Sequence, residues 1–196
     1  MLINTHIVIA KKIYENMDSD KRILLKEIQF VWGNVKPDCV SKYKFKKHYL
    51  DESFVMIINK IEFLSSLSIK DLYTKYNLNK FNQELGVICH FLCDYFCLPH
   101  NKRWEFKNAN VVKEHINYER SLDKIAKVFK FTSEKNNYIE VEEVATFIKL
   151  LIKEYEKVEG YKNDLIYANY ACNTIVNTVL RNVIENEYKL RRAETL

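Results

Sequence analysis

Glycine and proline are scarce: three and two respectively in 196 residues. Sheet corners and tight hairpins draw on both, so an all-β fold is disfavoured and helices with short connections are favoured. No run of about 18 apolar residues occurs, which leaves no segment suited to spanning a bilayer. Leu2–Ala10 is apolar, but it lacks the basic start, long apolar stretch and small-residue cleavage site of a secretory signal. With no export signal, the odd count of five cysteines points to reduced thiols and a cytoplasmic location, not to a disulfide framework. A strong charge of one sign is missing too. With 31 basic and 26 acidic residues the net charge is +5, which allows an anionic partner without demanding one. The lysines within 42–47 and 149–157 read as solvated helical faces.

What the chain does have is apolar spacing of three and four almost throughout. Residues 3–16 read as a helix. Asp18 or Ser19 is expected to cap a second helix reaching Val31, with Gly33 ending it. A loop over 34–43 would hold Pro37 and Asp38. Asp51 is expected to cap a helix through Leu64, and Ser68 another, with Asp71 in the capping-box position. Further helices are expected over 79–97, 108–131, 140–158 and 162–191. Gly160 would separate the last two, and the tail from Arg191 would fray. No repeat, low-complexity stretch or linker interrupts the pattern. The expectation is an all-α, single compact multi-helix domain over residues 1–196.

The chemistry is concentrated in few residues. His90 and Asp94 stand four apart and share a face of the most apolar helix, where an unpartnered carboxylate would be costly. His100 follows just past Pro99. His115 and Glu119 repeat the spacing of four on the next helix. One such pair is often only a helix ion pair. Two pairs with a histidine between them are what a zinc site between helices needs, because zinc accepts imidazole and carboxylate. Few thiolates and several carboxylates favour hydrolysis over a structural knot. Cys89, Cys93 and Cys97 form a thiol stripe beside this face and read as small core hydrophobes.

The series His90-x₃-Asp94-x₅-His100 followed by His115-x₃-Glu119 resembles the central motif of zinc-dependent phospholipase C, a superfamily pattern shared with fungal single-strand nucleases. Upstream, Thr5-His6 resembles the family's first histidine, Asp38 after Pro37 its loop aspartate, and His48 the histidine paired with that aspartate. The matches run from residue 6 to residue 119. The resemblance implies two to three zinc ions. Asp38, His48, His90 and Asp94 would hold one; His100, His115 and Glu119 a second; His6 and Asp94 a third, with Asp94 bridging. The family completes the third site with backbone atoms of its chain terminus, so Met1, through its amine and carbonyl, is the expected last ligand. Residue 1 here is Met where the family's mature terminus is Trp.

By the same resemblance, the reaction would be attack of a zinc-bound hydroxide on a phosphodiester. Asp38 would serve as ligand and, through its free oxygen, as general base. Phe45, three residues before His48, either lines a headgroup pocket or packs in the core. Cys39 stands where those enzymes carry an aromatic, which weakens the case for a cation–π box. The expected substrate is a phospholipid or other phosphodiester, with peripheral membrane contact allowed and no obligate protein partner evident. The alternatives are a nuclease or nucleotidase, for which nucleic acid would be the partner, and a non-catalytic zinc-binding helical protein.

Overall fold

The structure is a computed structural model describing residues 1–40, 48–104, 109–132 and 137–194. Its regular elements are α1 (Ile3–Asn16), α2 (Ser19–Arg22), α3 (Glu27–Cys39), α4 (Leu50–Ser65), α5 (Ile69–Asp71), α6 (Leu78–Tyr95), α7 (Leu98–Asn101), α8 (Ala109–Ala126), α9 (Val144–Tyr155) and α10 (Tyr161–Glu194). A π-helical turn over Leu72–Tyr76 follows α5, and a 3₁₀ turn over Val141–Glu143 precedes α9. No strand occurs among the described residues. The all-α expectation therefore holds.

The hub is α6. Its stretch from Glu84 to Tyr95 is buried without a break, and it packs against α3, α10, α4 and α1. That environment suits a sequence apolar on nearly every side, Leu85-Gly-Val-Ile-Cys-His-Phe-Leu-Cys. Asn77 starts α6 at φ 84, its side chain accepting from the amides of Asn79 and Lys80. The Ser68–Asp71 capping box forms as expected.

Two boundaries depart from the sequence reading. The helix expected from Asp18 or Ser19 to Val31 breaks after Arg22 and restarts at Glu27. Asn82 on α6 holds the break open: its Nδ2 donates to the Leu24 carbonyl at 3.0 Å, and its Oδ1 accepts from the Lys26 amide at 2.8 Å. Gly33 does not end the helix either. α3 runs through Gly33 and Pro37 to Cys39, so Asp38 sits in its last turn and not in a loop. Gly33 serves a close approach instead. A Cβ there would lie 2.2 Å from the Gln83 carbonyl oxygen, and one on Gly86 would lie 2.3 Å from that of Phe30. The two backbones meet where neither residue has a side chain.

Smaller corrections follow the same logic. Asp51 does not cap α4; Tyr49 occupies that position without a side-chain bond, and Asp51 pairs with Arg103. α8 stops at Ala126, short of 131. The expected fraying tail is helical to Glu194. Gly160, at φ 140, does separate α9 from α10. No helix among the described residues is long and apolar enough to cross a membrane.

Candidate metal centre

Four of the five histidines converge on Asp94, and the fifth, His115, joins them through Glu119. α1 carries His6 and follows Met1; α3 carries Asp38 in its last turn; His48 precedes α4; α6 carries His90 and Asp94; α7 presents His100; α8 carries His115 and Glu119. Asp94 is 1% exposed, and its two oxygens face two different sets of groups. Oδ2 lies 2.9 Å from His48 Nδ1 and 3.3 Å from His90 Nε2. Oδ1 lies 2.5 Å from the Met1 amine, 3.5 Å from His6 Nε2 and 3.9 Å from His100 Nε2. On the far side, Glu119 Oε1 lies 3.0 Å from His100 Nε2, 3.1 Å from His115 Nε2 and 3.1 Å from the Met1 amine.

Secondary contacts fix the donors. His90 Nδ1 donates to the Asn34 carbonyl at 2.8 Å, so Nε2 is the free nitrogen of the neutral ring. That lone pair points at Asp94 Oδ2 and at Asp38 Oδ1, 3.7 Å away. Acceptors aimed at one another repel unless a cation or a proton lies between them. His6 sharpens the point. It is fully buried, stacks on His90 with centroids 4.0 Å apart, and neither of its ring nitrogens has a hydrogen-bond partner among the described residues. An unsatisfied buried imidazole calls for an explanation, and a metal supplies one. The donor set of imidazoles and carboxylates fits zinc.

The electrostatics favour the ligand form at His6, His100, Asp94 and Glu119 and oppose it at Asp38, at His48 and at the Met1 amine, which nearby carboxylates raise. Burial pulls the His6 imidazole down to about 3, keeping it neutral as a ligand must be. Burial also lowers His100 and raises Asp38. Burial works against the Asp94 charge, but His100, the Met1 amine, His90 and the bond from His48 outweigh it and hold the carboxyl well below its usual range. Glu119 is lowered likewise, burial being overcome by the amine and the two histidines bonded to it.

The donor atoms fall into three groups whose members lie within 4.8 Å of one another: His6, Asp38 and His90; His48, His90 and Asp94; Cys97, His100 and Glu119. His6 thus stands with Asp38 and His90 as well as near Asp94. Cys97 reads from the sequence as core packing, and the structure brings its thiol beside His100 and Glu119. Its companions Cys89 and Cys93 stay in the apolar core, Cys93 Sγ 3.7 Å from that of Cys172. Phe45 lies outside the described residues. A cavity of about 200 Å³ adjoins the cluster at His48 and His100; Tyr49, Asp51, Tyr95 and Arg103 line it, with the Arg103 guanidinium 4.6 Å above the Tyr49 ring.

The family model for zinc dependent phospholipase C matches residues 5–162. The chain belongs to that family. No curated protein and no solved structure matches it. The phospholipase C match spans the elements that bring the cluster together, from α1 to α9, but stops before most of α10. Sequence reasoning missed Asp164, at the start of α10. The carboxylate is fully buried and bonded to Leu98, Tyr118 and Tyr155. An acid in a helix's first turn is explained locally by the helix dipole, so its sequence context gave no other signal.

Proposed function

We propose that the protein is a zinc-dependent phosphodiester hydrolase acting as a phospholipase C, releasing a phosphorylated headgroup and diacylglycerol from a glycerophospholipid. The observation that carries this is the convergence, within a member of the zinc dependent phospholipase C family, of five imidazoles on a cluster of three carboxylates, Asp38, Asp94 and Glu119. Asp38, His48, His90 and Asp94 would hold one zinc, and His100, His115 and Glu119 a second. His6, Asp94 and the Met1 amine and carbonyl would hold a third. Bound zinc supplies a nucleophile from water near neutral pH and a counter-charge for the phosphate.

The chain's own residues set the rest. Asp94 spans the cluster because its two oxygens face opposite groups. Asn34 keeps His90 in the tautomer that offers Nε2. Asp38, at 27% exposure, is the most open of the carboxylates in the cluster, and it would accept a proton from an attacking water. The cavity beside His48 and His100 offers room for part of the substrate against Tyr49 and Arg103.

The test is hydrolysis by zinc-loaded full-length protein of phosphatidylcholine vesicles, with a single-stranded oligonucleotide in parallel. Diacylglycerol release, abolished by chelation and restored by zinc, is expected. Oligonucleotide cleavage without lipid cleavage would move the protein to the nuclease branch. Cleavage of neither substrate would leave a non-catalytic zinc protein. Lengthening the chain ahead of Met1 should lower the zinc content by one ion.

A further inference from the structure

Asp164 is a buried carboxylate whose hydrogen bonds go to Leu98, Tyr118 and Tyr155, none of them a proposed ligand, yet it joins the elements that carry three of those ligands. Its Oδ2 accepts from the Leu98 amide at 3.3 Å and from the Tyr118 hydroxyl at 3.0 Å. Its Oδ1 accepts from the Tyr155 hydroxyl at 2.8 Å. Leu98 opens α7, a helix of only four residues that presents His100. The residue capping α7, Cys97, makes no side-chain cap bond, so the carboxylate from α10 takes up an amide that the helix start leaves over. Tyr118 is the residue before Glu119 and the third after His115.

The two oxygens thus divide the work. Oδ2 ties the start of α7 to the middle of α8, the two elements whose His100 and His115 each lie within 3.1 Å of Glu119 Oε1. Oδ1 ties α10 to α9, which carries no candidate ligand. A carboxylate withdrawn from water is a poor choice for filling a core, since well-packed apolar side chains fill the same space at no loss of stability. It is a good choice where a short turn and a neighbouring helix must be held in register, because groups that orient ligands govern metal affinity.

On the footing of the metal-site reading above, we propose that Asp164 is a positioning residue for the second zinc: through Oδ2 it sets the distance between His100 and the His115–Glu119 pair. Tyr118 transmits this on the α8 side, and Tyr155 has no part in it.

The comparison of the two tyrosines is the test. Each donates one hydroxyl to the same carboxylate, and Phe keeps the ring of either. Full-length wild type, Tyr118→Phe, Tyr155→Phe and Asp164→Asn would be stripped of metal and titrated with zinc against a chromophoric chelator. Thermal unfolding of the metal-free proteins would be measured alongside. Tyr118→Phe and Asp164→Asn are expected to weaken one zinc-binding step by about tenfold and leave the others unchanged. Tyr155→Phe is expected to lower the melting temperature as much as Tyr118→Phe does while leaving every zinc step within about twofold of wild type. Zinc steps that are unaltered in Tyr118→Phe, or weakened equally in Tyr155→Phe, would overturn the proposal, and this holds even if Asp164→Asn does not fold. Wild type that takes up no zinc would overturn the metal-site reading itself, and the positioning role with it.

Discussion

α6 and α10 pack against each other and are buried along much of their length, yet they disclose themselves differently. α6 shows its role openly, since its histidine and acid four apart in the most apolar stretch of the chain are matched by the same spacing at His115 and Glu119, with His100 between. α10 gives no such sign. It is the longest helix, 34 residues, and its polar side chains look like ordinary surface. In the fold they are joints. Asn177 accepts from the buried Lys21 ammonium at 2.8 Å. Asn186 donates to the carbonyls of Ser65 and Leu67 at 2.9 and 3.1 Å, closing the end of α4. Asp164 braces the turn that carries His100. Residues that perform chemistry are restricted in type and are visible in a sequence; residues that support them are recognised only by what they touch.

Substitutions should sharpen this contrast. The largest effect belongs to α6. Gly86→Ala places a methyl 2.3 Å from the Phe30 carbonyl oxygen, which the two backbones can relieve only by separating. A loss of about 3 kcal/mol or more in urea unfolding is expected. Zinc content should fall as well, since α3 carries Asp38 and the Asn34 carbonyl that orients His90. A Gly86→Ala protein of wild-type stability would mean that the seam is not as close as it stands.

Asn82→Ala comes next. It leaves the Leu24 carbonyl and the Lys26 amide without the partner that keeps α2 and α3 apart, for a cost of about 2 kcal/mol by the same measurement. On the α10 side, Tyr155→Phe should cost about 1 kcal/mol. The smallest change is expected at the exposed pair between Lys70 and Glu194, where Lys70→Ala should unfold in urea indistinguishably from wild type. If Lys70→Ala cost as much as Tyr155→Phe, burial would not be what separates the two.

The same contrast explains what could be read from the chain. The scarcity of glycine and proline and the apolar spacing pointed to an all-helical protein. The residue types and spacings of His90, Asp94, His100, His115 and Glu119 pointed to a cluster between helices. Met1, His6, Asp38 and His48 entered only through the family resemblance, because they are far apart in sequence and none has a local pattern of its own. The breaks were misread wherever a distant residue overrode a local signal. Asn82, more than fifty residues away, interrupts the helix expected from Asp18 or Ser19. Gly33 looked like a helix end because glycine commonly is one, whereas here it answers to Gly86 across the seam. Pro37 marked a loop by local rules and is held inside a helix by the packing of α3 on α6.

The most direct measurement is elemental analysis of full-length protein with nothing added ahead of Met1, wild type beside Asp94→Asn. Two to three zinc ions per chain in wild type are expected, falling by at least one in the variant, because the carboxylate whose oxygens face both halves of the cluster loses its charge. Wild type without zinc after reconstitution, or Asp94→Asn with an undiminished complement, would contradict the assignment of this cluster as the metal centre.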